Sequence, residues 1–205
     1  MLSLILDTST ENLILCLATQ QKILSSVAIP HKNNLSALLV PEIQALLKKN
    51  NYNPTNLSCL HVGIGPGSYT GIRVGVIAAE CLALGLHIPL YSFVSLLAFL
   101  PKDLPIGPFS CLWQAKHSSH FLLQGLLEEQ DHISNLHRHI LPQDQLSPLL
   151  NANTSLIAFQ SDQPLLSLPS LLYKPELNLK RLISYTEKNR KFPPTPPHVI
   201  YLHAL

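Results

Sequence analysis

The middle of the chain carries a strand, a glycine-rich turn and a helix in direct succession. Leu60, Val62 and Ile64 form an apolar run, Gly65–Gly75 holds half of the eight glycines, and Ile72–Leu84 has a helical composition. Glycine adopts positive φ and lets another backbone approach closely, and this layout points N–H groups and a helix N-terminus at one place. The glycine spacing differs from the dinucleotide fingerprint, and no Gly-Lys-Ser/Thr follows, so a Rossmann site and a P-loop are both excluded.

The first hundred residues alternate between strand and helix patterns. Three apolar runs separated by polar turns predict an antiparallel meander: Leu2–Leu6, Leu13–Ala18 and Ile23–Ile29. Apolar residues at three- and four-residue spacing from Leu35 to Leu47 predict a helix, which Pro41 should kink or restart. Further predicted elements are buried strands at Cys59–Ile64 and Ile88–Tyr91 and a helix at Phe93–Leu100.

The second half has weaker patterns. Three prolines and a glycine in Pro101–Pro108 predict a linker. The elements predicted after it are strands at Phe109–Gln114, His120–Leu126 and Ser155–Phe159, a helix at Leu177–Asn189, an extended proline-rich stretch at Lys191–Pro197 and a β-like segment at Val199–Leu202. We find no internal sequence repeat.

The helix after the glycine turn is unusually apolar. Its charges are Arg73 and Glu80, seven residues apart and hence on one stripe, and the other positions are apolar or small. A helix of this kind is buried on two sides. Gly71, Gly75 and Ala79 recur at four-residue steps, which predicts a face against which the helix of another protein packs closely.

Three segments resemble those of a known family. The opening of the TsaB (YeaZ) family, hydrophobic-Asp-Thr-Ser/Ala-Thr, is similar to Leu4–Thr10, and its Gly-Pro-Gly-Ser-Phe/Tyr-Thr-Gly-hydrophobic-Arg-hydrophobic-Gly segment is similar to Gly65–Gly75. Its Tyr-Leu-Arg ending resembles Tyr201-Leu202. The resemblance implies an α/β, actin-like or Hsp70-like (ribonuclease H-like) fold with two half-domains, the second reduced. We expect these at residues 1–104 and 105–190, with a tail at 191–205.

The resemblance also implies a role. Members of the family are non-catalytic accessory subunits that pair with TsaD, joined by the ATPase TsaE, to make N6-threonylcarbamoyladenosine at position 37 of tRNA. It implies cytoplasmic localisation, a homodimer when the chain is alone, and contact with tRNA only through the complex. Two alternatives stay open: an active enzyme, either an actin-fold ATPase or kinase or a metallopeptidase, and a free-standing homodimer with a different client.

Two sets of residues are candidates for function. The first is a partner interface on the first two helices: Leu35, Leu38, Leu39, Ile43, Leu46, Gly71, Ile72, Arg73, Gly75, Ala78, Ala79 and Leu82. The second is either a degenerate phosphate site or a purely structural turn: Asp7, Thr8, Ser9, Thr10, Gly65, Pro66, Gly67, Ser68 and Thr70. In actin-like proteins the aspartate of the first turn holds Mg²⁺ through water, whereas a carboxylate in a turn more often satisfies local N–H groups.

Composition limits the other functions. The net charge of +2 does not by itself predict nucleic-acid binding. The histidine pairs His117/His120 and His137/His139 lack a matching set of ligands, so we expect no metal site and no cofactor, except a nucleotide within the complex. Four dispersed cysteines predict reduced, buried thiols. The charge-free stretch Cys81–Pro101 is long enough for a membrane span, but Gly85 and Pro89 interrupt it, so no membrane contact is expected.

The second half also departs from the family pattern. Gln114–Ser119 stands where members have an Asp-Ala-Arg-x-Gly-Glu-like segment, Phe159–Ser161 stands at a Gly-x-Gly turn, and His203 replaces the terminal arginine. These departures put contacts made by the second half-domain in doubt.

Overall fold

The computed structural model describes residues 1–20, 22–31, 34–114, 119–142, 145–146, 149–150, 154–159, 172–173 and 175–189. These residues form two compact units, whose boundary crosses the C-terminal helix α3 (Leu179–Asn189). Unit 1 comprises Met1–Ser95 and the part of α3 from Leu182, and unit 2 comprises Leu96–Arg181. The division after Ser95 precedes the boundary expected between residues 104 and 105.

Unit 1 contains a five-stranded mixed sheet. Its strands are β1 (Leu2–Asp7), β2 (Asn12–Thr19), β3 (Lys22–Pro30), β4 (Leu57–Gly63) and β5 (Leu90–Phe93), in the order β3-β2-β1-β4-β5. The predicted meander is confirmed, because β1, β2 and β3 pair antiparallel, while β4 pairs parallel with both β1 and β5. Every residue of the central strand β1 is buried, as expected for a strand covered on both faces.

Two helices cover one face of this sheet. α1 (Leu35–Lys49) contacts β2 and β3, and α2 (Tyr69–Leu86) contacts β4, β1 and β5. Their buried residues share one core with the side chains that alternate along β1, β2 and β4, among them Leu4, Leu15 and Leu60. Burial of each such side chain contributes about 1.5–3 kcal/mol, so the core accounts for the docking of both helices.

Two local predictions for unit 1 are wrong. α1 is one continuous helix through the exposed Pro41, so the restart expected there does not occur. The segment expected as a helix at Phe93–Leu100 instead continues β5 and then forms a 3₁₀ turn at Ser95–Phe99. The charge-free stretch Cys81–Pro101 is therefore not one helix.

Unit 2 repeats the strand order of unit 1. Its strands are β6 (Gly107–Gln114), β7 (Ser119–Glu128), β8 (His132–Pro142), β9 (Ser155–Phe159) and β10 (Leu172–Tyr173), in the order β10-β9-β6-β7-β8. β6, β7 and β8 are antiparallel, and β9 is parallel to β6 and to β10. An antiparallel meander followed by parallel strands, present in both units, confirms the actin-like (ribonuclease H-like) fold class. β8 and β10 are strands that the sequence patterns did not predict.

The expected linker Pro101–Pro108 is part of unit 2. Pro101 and Leu104 are buried, and β6 begins at Gly107. The buried Arg181 side chain joins this segment to the rest of the unit: its Nε donates to Asp131 Oδ1 at 2.9 Å and its Nη1 to the Pro101 carbonyl at 2.5 Å. A guanidinium with several acceptors is the form in which a buried cation is tolerated.

One helix in the described part of the chain meets the length and apolarity of a membrane span, namely α2, of which 33% is buried in the fold. A helix that covers a sheet meets the same criterion.

Three cysteines are buried and free as expected, whereas Cys81, also free, is exposed on α2. Burial raises the pKa of the Cys16 thiol to about 12, so this thiol stays protonated near neutral pH. The predicted elements at Lys191–Pro197 and Val199–Leu202 lie outside the described residues.

Candidate functional site

The structure brings the two family-like motifs together at one end of the unit 1 sheet. The Ser68 N–H donates to the Ser9 carbonyl at 2.6 Å, and the Thr8 hydroxyl donates to the Gly71 carbonyl at 2.8 Å. A Cβ atom at Gly67 would lie 2.1 Å from the Ser9 carbonyl oxygen. Only glycine fits at position 67, because the β1–β2 turn lies too close for a side chain.

The start of α2 is capped within this turn. Ser68 is the N-cap residue, and its Oγ accepts a hydrogen bond from Gly71 N–H at 3.2 Å. The N–H groups of Ser68 and Gly71 could otherwise donate to an anion at this helix end. Both already have partners within the chain, because Ser68 N–H donates to the Ser9 carbonyl and Gly71 N–H to the Ser68 hydroxyl. Thr70 is exposed, whereas Gly65 and Pro66 are buried and Thr10 is half-buried.

Asp7 is buried at the end of β1, with a relative exposure of 1%. Its Oδ1 accepts hydrogen bonds from the Ser9 N–H at 2.8 Å and the Ser9 hydroxyl at 2.6 Å. Its Oδ2 has no partner of ordinary geometry among the described residues. The Cα of Gly63 is so close that an added Cβ would lie 1.8 Å from Oδ2 and 2.7 Å from Ser95 Oγ. The carboxyl group is thus enclosed by β4 and the start of the 3₁₀ turn.

Enclosure changes the acidity of Asp7. Burial raises its pKa above the usual 3.8, and the hydroxyls of Ser9 and Ser95 and the Ser9 N–H offset part of that rise. Ser95 is itself held in place, since its Oγ accepts from Gly65 N–H at 2.9 Å and its N–H donates to the Gly65 carbonyl at 2.8 Å. The arrangement fits a turn in which the carboxyl group satisfies local donors.

Most residues of the predicted partner interface lie inside unit 1. Buried positions are Leu35, Leu39, Ile43, Leu46, Gly71, Ile72, Gly75 and Ala79, whereas Leu38, Ala78 and Leu82 are half-buried and Arg73 is exposed. Gly71, Gly75 and Ala79, which we expected to face a second protein, are buried within unit 1. Added Cβ atoms at Gly71 and Gly75 would lie 2.3 Å from the Thr8 carbonyl oxygen and 2.1 Å from the Thr8 Oγ1. Gly71 and Gly75 thus leave space for Thr8 of the chain's own β1–β2 turn.

The opposite side of α2 is exposed and apolar. Tyr69, Ile77 and Leu84 are 40%, 58% and 76% exposed, and the Arg73 guanidinium lies 4.1 Å from the centre of the Tyr69 ring. We call Tyr69, Arg73, Ile77 and Leu84 the α2 surface. The sequence contains the signal for it: Arg73 and Glu80 mark the stripe that faces solvent, and the apolar residues at helical spacing on that stripe are the exposed ones.

The described part of the chain contains no cluster of three His, Cys, Asp or Glu side chains with the spacing of a metal site. Of the histidines considered above, His120 is buried, His137 and His139 lie on β8, and His117 lies outside the described residues.

Comparison with known proteins identifies the family. A family model described as "TsaD: tRNA N6-adenosine threonylcarbamoyltransferase" matches residues 22–140, more than half of the chain. A "tRNA threonylcarbamoyladenosine biosynthesis protein TsaB" from Bacillus subtilis (strain 168) is 37% identical over 93 residues, which are 45% of this chain and 41% of that protein. The TsaB of Escherichia coli (strain K12) is 30% identical over 94 residues, 46% of this chain and 40% of that protein.

The chain belongs to the TsaB (YeaZ) family. It spans about two fifths of the length of these two curated relatives. YeaZ from Pseudomonas aeruginosa superposes with a TM-score of 0.74 over 98% of this chain and 99% of that structure, at 18% identity. The TsaB/YeaZ fold therefore extends over both units, and the matched residues 22–140 include α1, the glycine turn and α2.

Proposed function

We propose that the chain is a non-catalytic accessory subunit that pairs with TsaD, together with TsaE, to form N6-threonylcarbamoyladenosine in tRNA. Family membership supports the pathway, because the curated relatives are biosynthesis proteins for that nucleoside and the matching family model is described by the threonylcarbamoyltransferase. The observation that carries the accessory role is the α2 surface, an apolar stripe that the fold leaves uncovered.

The α2 surface has the composition of a protein-binding site. Seven large apolar side chains of the described residues are exposed, and three of them are Tyr69, Ile77 and Leu84 on this one helix. A groove of about 410 Å³ lies along it, lined by Tyr69, Thr70, Arg73, Val74, Ile77 and Ala78. Clustered apolar residues with an exposed tyrosine and arginine are typical of interface centres.

The enclosed Asp7 supports the absence of a catalytic role. A carboxylate that holds hydrated Mg²⁺ beside a nucleotide needs access to water and ligand oxygens. Asp7 instead lies against Gly63 and Ser95 and accepts from Ser9. In this proposal the turn fixes the start of α2 and thereby the α2 surface, while transfer chemistry and any metal belong to TsaD.

The proposal has consequences for assembly. Without TsaD, the same α2 surface would make a symmetric homodimer, since a two-fold contact uses one patch twice. A nucleotide, where present, would bind in the complex, and tRNA would reach the chain through TsaD. The cytoplasm, where tRNA is modified, is the expected location.

The test is a matched pair of charge insertions. Ile77→Glu places a carboxylate in the α2 surface, whereas Ile106→Glu makes the same change at an isoleucine that is 67% exposed in unit 2. With TsaD, TsaE, tRNA and the threonylcarbamoyl adenylate, we expect Ile77→Glu to lower nucleoside formation and TsaD affinity about tenfold or more, as at an interface centre. Ile106→Glu should retain both.

Circular dichroism would verify that both variants are folded. A folded Ile77→Glu protein with unchanged TsaD affinity would reject the α2 surface. If the unaltered chain failed to restore nucleoside formation to TsaD and TsaE, the accessory role itself would be wrong.

A further inference from the structure

A surface cleft of about 590 Å³ lies at the carboxyl end of α1 in unit 1. Its lining includes Gln44, Lys48, Asn51, Tyr52, Asn53 and Pro54. None of these residues belongs to the glycine turn or to the α2 surface, and the proposed accessory role does not use them.

The end of α1 shapes the cleft. The N–H groups of Asn50 and Tyr52 both donate to the Leu47 carbonyl at 3.0 Å, and the Asn51 N–H donates to the Lys48 carbonyl at 3.0 Å. Asn51 adopts a left-handed conformation with a φ of 61°. Backbone donors therefore satisfy the carbonyl groups of Leu47 and Lys48, and the Asn50 carboxamide donates to the Leu46 carbonyl at 2.8 Å. The Asn51 side chain, which follows the helix, lines the cleft.

The lining combines groups that recognise a nucleotide. Gln44 and Asn51 carry carboxamides, which both donate and accept hydrogen bonds and match the edges of nucleobases. Asn53 also lines the cleft, but its side chain takes part in a capping box with Asn56. Tyr52 and Pro54 offer flat apolar surface of the kind on which bases stack, and the exposed Lys48 supplies a cation for a phosphate.

The charge pattern around the cleft favours an anion. The chain has no Asp or Glu from Ile43 to Ala79, a stretch that contains the whole cleft lining, and it has two adjacent lysines there, Lys48 and Lys49. A neutral sugar or an apolar ligand would have no use for Lys48, whereas a nucleoside monophosphate uses each kind of group present.

We propose that this cleft binds a nucleoside monophosphate unit, either as a free nucleotide or as one residue of single-stranded RNA. The phosphate lies at Lys48, the base lies against Tyr52, and the carboxamides bond to the base edge and the ribose. This site goes beyond the proposed function and does not require pairing with TsaD.

Lys48 and Lys49 provide a matched pair for the test. Both are exposed and adjacent, but only Lys48 lines the cleft, so Lys48→Gln and Lys49→Gln change the net charge equally. The isotopically labelled full chain would be titrated with adenosine monophosphate and, separately, with a short single-stranded oligoadenylate, and amide shifts would be followed by NMR.

We expect saturable shifts at residues 44–54, with affinity lowered about fivefold or more by Lys48→Gln and less than about twofold by Lys49→Gln. Tyr52→Leu, which keeps an apolar side chain against the core, should also weaken binding. Tighter binding of the oligonucleotide than of the mononucleotide would indicate RNA as the source, and the reverse would indicate a free nucleotide.

Equal losses from the two lysine variants would overturn the proposal, because they would indicate non-specific attraction. Saturable shifts confined to other residues, or no saturable shift with either probe, would overturn it as well. The titration contains neither TsaD nor TsaE, so its failure is separate from a failure of the accessory role.

Discussion

At the scale of single residues, Asp7 shows how the surroundings of a side chain decide its chemistry. Its place in the motif resembles that of a magnesium-binding aspartate, but the fold encloses it beside Gly63 and Ser95 and gives Oδ1 two donors from Ser9. Burial raises its pKa because a charged carboxylate loses its hydration. In this chain, the aspartate at that position of the motif therefore stabilises a turn.

The raised pKa of Asp7 predicts a specific pH dependence of stability. Between the unfolded pKa near 3.8 and the higher folded pKa, the folded chain holds a proton that the unfolded chain has released. The free energy of unfolding then falls as the pH rises through this window. Each pKa unit of the rise corresponds to about 1.4 kcal/mol that is lost above the window.

Asp7→Asn should remove this dependence, because its amide oxygen still accepts from Ser9 and it carries no charge. We expect the variant to be at least as stable as the parent at pH 7 and to show a flatter slope of urea-unfolding free energy from about pH 4 upward. Asp103→Asn, at an exposed position, is the control. A variant that keeps the slope would mean that other groups cause the pH dependence, and one that loses stability at pH 7 would mean that the fold needs an ionised carboxylate at Asp7.

At the scale of elements, α2 carries two unlike faces. The face with Gly71, Gly75 and Ala79 is buried, and its two glycines lie against Thr8 of the β1–β2 turn, whereas the face with Tyr69, Ile77 and Leu84 is exposed. The hydroxyl of Thr8 donates to the Gly71 carbonyl and thereby holds the buried face of α2 against the turn. Small residues thus set how closely the helix lies on its own sheet, and large residues remain for a partner.

A pair of glycine substitutions in α2 distinguishes internal packing from association. Gly75→Ala should lower the free energy of unfolding by about 1–3 kcal/mol through overpacking, because its Cβ would lie 2.1 Å from the buried Thr8 Oγ1. Gly85→Ala, in the same helix and with no atom within 4 Å of an added Cβ, should gain up to about 1 kcal/mol from helix propensity. Thermal and urea unfolding of both variants measure the difference.

The opposite result would support the prediction that the small residues of α2 contact a partner protein. If Gly75→Ala were as stable as Gly85→Ala but failed to pair with TsaD, those residues would contact the partner after all.

At the scale of the whole molecule, both units use an antiparallel meander followed by two parallel strands. No repeat is visible in the sequence, so the likeness lies in strand order and not in residue identity. The proposed division of labour leaves chemistry to TsaD and gives this chain a structural task, for which a stable fold with one uncovered apolar helix face is sufficient.

The purified chain should therefore be inactive by itself. We expect no threonylcarbamoyl transfer to tRNA, no peptidase activity and no stoichiometric zinc or iron by elemental analysis, and treatment with a chelator should leave its unfolding temperature unchanged. The contrary result, one tightly bound metal per chain that is lost together with an activity when a histidine is replaced, would make the chain an enzyme.

Local sequence patterns were sufficient for most elements of unit 1. Apolar alternation and polar turns predicted the meander, helical spacing predicted α1 and α2, and the glycine motif correctly indicated a turn before α2. The structure adds that Ser68, within this turn, is the N-cap residue of α2. In these cases the residues that determine an element lie within that element or directly beside it in the sequence.

The tertiary structure decided which residues each face of a helix or strand contacts. The sequence shows that Gly75 is small but not that Thr8, far away in the chain, fills the space above it. It likewise does not show that Gly63 and Ser95 enclose Asp7, that Arg181 reaches Pro101, or that β8 extends the second sheet. Each of these contacts joins residues distant in sequence, and burial and pKa depend on such neighbours, so they follow only once the chain has folded.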